Sequence, residues 1–225
     1  MSSRWFPLIV VLIVVFIGHF FTRFTLFRYK QKYIVTDEFR DKFVDLVNYY
    51  TEHYRVNQEM YAECIQQVNM IQEELGEDGI IAMFSDPLKK IQGQNFQLLV
   101  NVMPDMKLFE RHLDSSIIRE RMQHLFELCD DALLKHLGFL QRQIENEKRT
   151  MWNPFICFGK GTRWFVGLPF DILYWCGIIS APRKDAIYKS RGFTFVENFI
   201  TLIGLVSSIM GIVLGWDEFI NLFLP

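Results

Sequence analysis

Hydrophobic positions in this chain follow two patterns, continuous near the ends and periodic in the middle. Residues 5–21, WFPLIVVLIVVFIGHFF, carry no charge over seventeen positions, about the minimum of 17–20 that crosses a hydrocarbon core as a helix. Residues 193–216 form a second apolar stretch, uncharged from 199 to 214. Between these runs, Phe39, Phe43, Leu46, Tyr50, Tyr54, Tyr61, Cys64, Val68, Ile71 and Leu75 recur mostly at steps of three or four, with Asn57 filling the one gap. That spacing marks one face of a helix. Thr36 ahead of Asp37 and Glu38 has the form of an N-cap followed by acids at the positive end of a helix dipole. Gly76 and Gly79 supply a stop. The pattern therefore predicts an amphipathic helix of about 39 residues, roughly 58 Å long.

A second stripe begins near Asp114–Ser116 and continues through Ile118, Met122, Leu125, Cys129, Leu133, Leu137, Leu140 and Ile144 to about Arg149. Asn153-Pro154 ends it. Two such helices pack antiparallel when the connection, residues 79–113, turns the chain back. Asp86-Pro87 predicts the start of a short helix in that connection. Residues 96–103 are an apolar run of either type, broken by Met103-Pro104-Asp105. No internal repeat is visible.

Residues 164–179, WFVGLPFDILYWCGII, are apolar but short, with Pro169 and Asp171 in the middle. A full span here would put the basic loop at 183–191 outside, against the positive-inside bias. The segment is expected to lie in the interface or to re-enter as an aromatic hairpin. Lys160 and Arg163 just before it suit anionic phosphates.

Charge sharpens this layout. Residues 33–150 hold 21 acidic and 13 basic side chains, a net of −8, which leaves +6 on the flanks. An acidic body lacks the cationic face that nucleic-acid binding needs. Arg23, Arg28, Lys30 and Lys32 follow the first run, with only Arg4 before it; Arg183, Lys184, Lys189 and Arg191 precede the second, and Asp217 and Glu218 follow it. Positive-inside bias puts residues 22–192 in the cytoplasm and both termini outside the plasma (inner) membrane. The first run lacks a small-residue cleavage site after it, so it is expected to be retained as an anchor.

The expected fold is an all-α membrane protein with a transmembrane helix at each end, a cytoplasmic antiparallel bundle of long helices, and an interfacial or re-entrant aromatic hairpin. Its parts are an anchor with basic flank (1–32), a helical domain (33–152), the hairpin and basic loop (153–192), and the second anchor with a short tail (193–225).

The order of anchor, basic stretch, long helix, break and second long helix, with Met103-Pro104-Asp105-Met106-Lys107 ahead of that second helix, resembles LemA-like bacterial membrane proteins, whose tyrosine-proline-x-leucine-lysine element it parallels. The resemblance covers residues 5–154. It implies a bacterial, membrane-anchored helical architecture and no assigned chemistry. The family's asparagine-rich motif on the last helix is missing, and the second anchor is an addition.

Catalytic and metal motifs are absent from the sequence: the five histidines fall in no HExxH or ExxH, so zincin and ferritin-like sites lack support. Glu120 with His124, and Glu127 with Asp131 and Lys135, are read as solvated helix faces. Gly159-Lys160-Gly161-Thr162 has the end of a phosphate loop without its upstream glycine, and is read as a flexible lead into the hairpin. Cys64, Cys129, Cys157 and Cys176 show no CxxC spacing and are read as buried or membrane-facing thiols in a reducing compartment. No enzyme activity, cofactor or metal is expected.

Two sets of residues stand out. Gly204, Ser207, Ser208, Gly211 and Gly215 form a small-residue stripe that would let another helix, from this chain or a second copy, approach closely. Glu197 and Asn198 in the last helix, with Asp171 in the hairpin, are polar groups at membrane depth, and are either functional or interfacial. The leading functional expectation is a scaffold or adaptor that recruits or regulates a protein partner at the cytoplasmic face. The alternative is an oligomeric pore or membrane-perturbing effector. Membrane lipid and a protein partner, another copy included, are the expected contacts.

Overall fold

The computed structural model describes the backbone at residues 6–86, 91–110 and 115–223, and side chains at 9–83, 93–110, 115–204, 206, 207 and 210. The chain is mostly helical: α1 (Phe6–His53), α2 (Gln58–Leu75), a 3-10 turn (Gly76–Gly79), strands β1 (Ile80–Asp86) and β2 (Ile91–Gln97), α3 (Leu98–Phe109), α4 (Ser116–Met151), α5 (Pro154–Trp175), α6 (Ala181–Tyr188) and α7 (Arg191–Phe223). Among the described residues, α1 is the helix long and apolar enough to cross a membrane. Contacts divide the chain into two compact units, Tyr29–Ile144, and Met1–Arg28 with Glu145–Pro225.

Unit Tyr29–Ile144 is built on the predicted stripes. Phe39, Phe43, Leu46 and Tyr50 of α1, Cys64, Val68 and Ile71 of α2, and Met122, Cys129 and Leu133 of α4 all lie in one buried core. Leu99, Val102, Met103 and Met106 of α3 complete it. Three boundaries differ from the sequence pattern. Thr36 caps nothing: it is buried inside α1, because neither glycine nor proline interrupts residues 19–53 and the apolar run and first stripe join into one 48-residue helix. The predicted helix over 36–75 instead breaks after His53. Tyr54 takes a positive φ of 54°, a conformation that ends helices. Asn57 then caps α2, its Oδ1 accepting from the N–H of Glu59 and Met60 at 3.0 and 3.3 Å. The break falls in the one long gap of the stripe.

The connection also differs. Asp86 ends β1, and an antiparallel hairpin pairs Ile80 with Gln97 and Asp86 with Ile91 where a short helix was expected at 86–87. Residues 87–90 lie outside the described residues. Pro104 does not break the following run but sits inside α3, at the cost of one backbone hydrogen bond. A buried amide ties the hairpin to α3: Gln72 Nε2 donates to Gly79 O at 2.8 Å, and Leu99 N donates to Gln72 Oε1 at 3.0 Å. Between α1 and α4, the Arg40 guanidinium donates through both Nε and Nη2 to Asp130, at 2.6 and 3.1 Å. α4 matches its predicted extent and ends before Asn153-Pro154.

Unit Met1–Arg28 with Glu145–Pro225 is held by small residues. Gly18 of α1 and Gly161 of α5 face each other, and a Cβ on either would collide with main-chain atoms, of Cys157 or Val14 respectively. Without a Cβ at either position the two helix backbones come into direct contact. α5 and α7 run antiparallel, since Phe158, Arg163 and Phe170 meet Gly204, Glu197 and Phe193 in reverse order.

Candidate functional site

Two hollows carry the chemistry, one in each unit. In unit Tyr29–Ile144, α1 and α4 leave an open groove of two adjoining parts, about 400 and 420 Å³. Thr51, Gln123 and Phe126 line both parts. Tyr50 and Phe126 form its floor, ring edge to face at 5.7 Å. The Tyr50 hydroxyl is buried with no hydrogen-bond partner, and burial, with Glu110 nearby, pushes its pKa up to about 12. One end is closed by Arg119, whose Nη1 donates to Tyr54 Oη at 3.3 Å. Glu120, Glu127 and Asp130 edge the groove. The sequence marked Tyr50 and Tyr54 as core positions and Glu120 and Glu127 as solvated faces, but not as the lining of a groove. The signal was present as doubled apolar positions, Val47 beside Leu46 and Phe126 beside Leu125, which widen each stripe beyond the face that the core uses.

The second hollow, about 510 Å³, belongs to the other unit and opens beside Phe21 and Thr25, where the uncharged run of α1 ends. Trp164 and Tyr188 form its aromatic walls. Two ion pairs line it: Lys160 with Glu147 at 2.6 Å and Lys184 with Asp171 at 3.1 Å. Arg163 lines it too, with Nη1 3.8 Å from Glu197 Oε2, too long for a hydrogen bond. Lys184 Nζ also sits 4.7 Å from the centre of the Tyr174 ring. Gly167 admits Tyr188, whose hydroxyl occupies the place of a Cβ. Burial, first, and a hydrogen bond to Asp171 raise the Tyr188 pKa to about 12.

This placement tests each residue singled out from the sequence. Asp171 and Glu197 form no cluster with Asn198; each carboxylate has its own cation, and Asn198 is exposed. Of the six basic residues expected at a membrane surface, Lys160, Arg163 and Lys184 line the cleft, while Arg183, Lys189 and Arg191 are exposed. In the small-residue stripe, Gly204 packs against the Phe158 ring within the chain, and Ser207 is exposed. The side chains at Ser208, Gly211 and Gly215 lie outside the described residues. The close glycine contact of this unit uses Gly18 and Gly161 instead.

The aromatic segment is corrected as well. Residues 164–175 are the second half of the 22-residue helix α5, with Pro169 inside it, and a turn at 176–180 brings α6 back against α5, so the aromatic segment is one arm of a helical hairpin and not a whole hairpin. Gly159 to Thr162 are helical rather than a flexible lead. A second exposed tip lies at the α4–α5 turn, where Trp152 and Phe155 are exposed at 79% and 63%. His19 fixes that tip: its Nδ1–H donates to Met151 O at 3.2 Å, and its ring faces Trp152 at 6.5 Å. Cys64, Cys129 and Cys157 are buried and Cys176 is exposed. Among the described residues no cluster of three or more His, Cys, Asp or Glu is placed to hold a metal.

No protein-family model, no curated protein and no solved structure matches this chain. The LemA-like resemblance accordingly rests on element order and on Met103-Pro104-Asp105-Met106-Lys107, with no family match behind it.

Proposed function

We propose that the chain is a membrane-tethered helical scaffold or adaptor, retained by α1 and presenting its acidic helical unit to a protein partner at the cytoplasmic face. The observation that carries this reading is the double use of α1. Its N-terminal part exposes Leu12, Phe16 and Phe20, and its C-terminal part supplies Phe39, Phe43, Leu46 and Tyr50 to the core. Only 22% of the apolar window of α1 is buried, unlike a core helix of a soluble protein. Retention of the run is supported by Gly18, which packs on α5, and by Thr22, which is fully buried.

The exposed apolar side chains of α7, among them Phe195, Phe199, Leu202 and Val206, support a second anchor beside the first. Trp152 and Phe155, next to His19 of the uncharged run, fit a tip dipped into the interface. The α1/α4 groove is the natural place for the partner. Its apolar floor, acidic edge and a unit net charge set by excess Asp and Glu suit a basic amphipathic helix laid in the groove. The pore alternative has less behind it, since Glu197 lies beside Arg163 rather than alone in a helix.

A photo-crosslinking amino acid at Thr51 or Gln123, in cells making the full chain, tests this reading. Discrete crosslinked proteins from both positions, and none from Glu63 on the outer face of α2, are expected. No product from either groove position, or the same products from Glu63, would count against it.

A further inference from the structure

The cleft beside Phe21 and Thr25 is left unexplained by a scaffold. Its volume of about 510 Å³ is in the usual range for small-ligand sites, about 300–1,000 Å³. Its position rests on the reading of α1 as a span: it opens at the depth where the uncharged run gives way to Arg23, the level of lipid headgroups. Trp164 and Tyr188 are the side chains preferred at that level.

Charge selects the ligand. Lys160, Arg163 and Lys184 are matched on the lining by Glu147, Asp171 and Asp185, so the cleft is balanced. An anionic headgroup would meet as many carboxylates as cations. A zwitterion finds both partners. Of the six lining charges, Asp185 has no cation among the described residues and Arg163 is held only loosely, by Glu197 outside the lining. Arg163 is half exposed and 3.8 Å from Glu197, which leaves guanidinium donors for a phosphate. Asp185 lines the cleft with an exposed side chain, and no cation among the described residues pairs with it.

We propose that this cleft binds the headgroup of a zwitterionic aminophospholipid, with the phosphate on Arg163 and the ammonium on Asp185. The lipid's acyl chains would then lie along the exposed Phe20 and Phe16 of α1. A primary ammonium fits better than a quaternary one, because Asp185 can accept its N–H donors.

Full-length protein in mild detergent, given equal amounts of phosphatidylethanolamine, phosphatidylcholine and phosphatidylglycerol, tests this by native mass spectrometry. Phosphatidylethanolamine should be retained about tenfold or more over the others, the value of one charged hydrogen bond. Asp185→Asn should abolish that preference, and Arg163→Ala should lower retention of all three lipids, each with helix content unchanged. Equal retention of the three lipids, preference for phosphatidylglycerol, a preference that survives Asp185→Asn, or retention unchanged in Arg163→Ala would overturn the proposal. So would displacement of the lipid by an equal concentration of soluble phosphoethanolamine, which would identify a soluble ligand. Membrane extraction with alkaline carbonate reports separately on the span.

Discussion

Gly18 on α1 stands directly against the main chain of Cys157 on α5, leaving no room for a Cβ. Gly161 returns the contact against Val14. Gly18→Leu or Gly161→Leu must therefore drive the helices apart, and overpacking of this kind costs about 1–3 kcal/mol. Gly159→Ala is the control. Nothing lies within 4 Å of the position, and exchanging glycine for alanine in a helix gains about 0.5–1 kcal/mol. Unfolding in mixed detergent should rank the variants in that order; a Gly18→Leu protein as stable as the parent would remove this contact from the account.

Gln72 holds two backbone groups at once, Gly79 O and Leu99 N. Gln72→Leu leaves both buried and unpaired, and each costs about 1–3 kcal/mol. A loss of about 2–6 kcal/mol is expected in chemical denaturation, with hydrogen exchange rising first at Leu99.

Arg40 and Asp130 form the two-pronged pair between α1 and α4, but their side chains are 26% and 31% exposed. Solvent screening limits such a pair, so a double-mutant cycle with Arg40→Ala and Asp130→Ala should return a coupling of only about 0.5–1 kcal/mol. It should shrink as salt is raised.

His136 predicts an acid sensitivity. Its ring is buried, Nε2 has no hydrogen-bond partner, and burial lowers its pKa below 6.5 despite the opposing charges of Glu74 and Asp78; Lys32 adds to the lowering. Folding therefore favours the neutral ring. That stability is whole above pH 6.5, the unfolded value, and is lost as pH falls through the lower folded pKa. His136→Phe should flatten the stability profile below pH 6.5. A parallel profile in the two proteins would mean that carboxylates carry all of the acid response.

Much of the bundle was legible because burial writes itself into spacing. Phe39 to Leu75 on one stripe, Tyr54 excepted, and Met122 to Leu140 on the other are the residues found inside. What spacing cannot show is where a helix joins or breaks when no proline or glycine marks the place: Thr36 looked like a start and is interior, and Tyr54 looked continuous and bends. The hairpin over Ile80–Gln97 was hidden because paired strands with polar Gln92, Gln94 and Asn95 carry no clean alternation. In the candidate sites, Lys160, Arg163 and Lys184 were visible as charges, but their shared cleft was not. The turn at 176–180 that returns α6 against α5 is a tertiary fact, and so is the fit of Tyr188 into the space at Gly167.

The central proposal is that α1 crosses a membrane with residues 22–192 on its cytoplasmic side. Cys176 is exposed and natural, and a second reporter, Ser3→Cys, tags the other side. In cells making the full chain, a membrane-impermeant maleimide should label position 3 in intact cells and Cys176 only after permeabilisation. Labelling of Cys176 in intact cells, or of both positions only after permeabilisation, would contradict it.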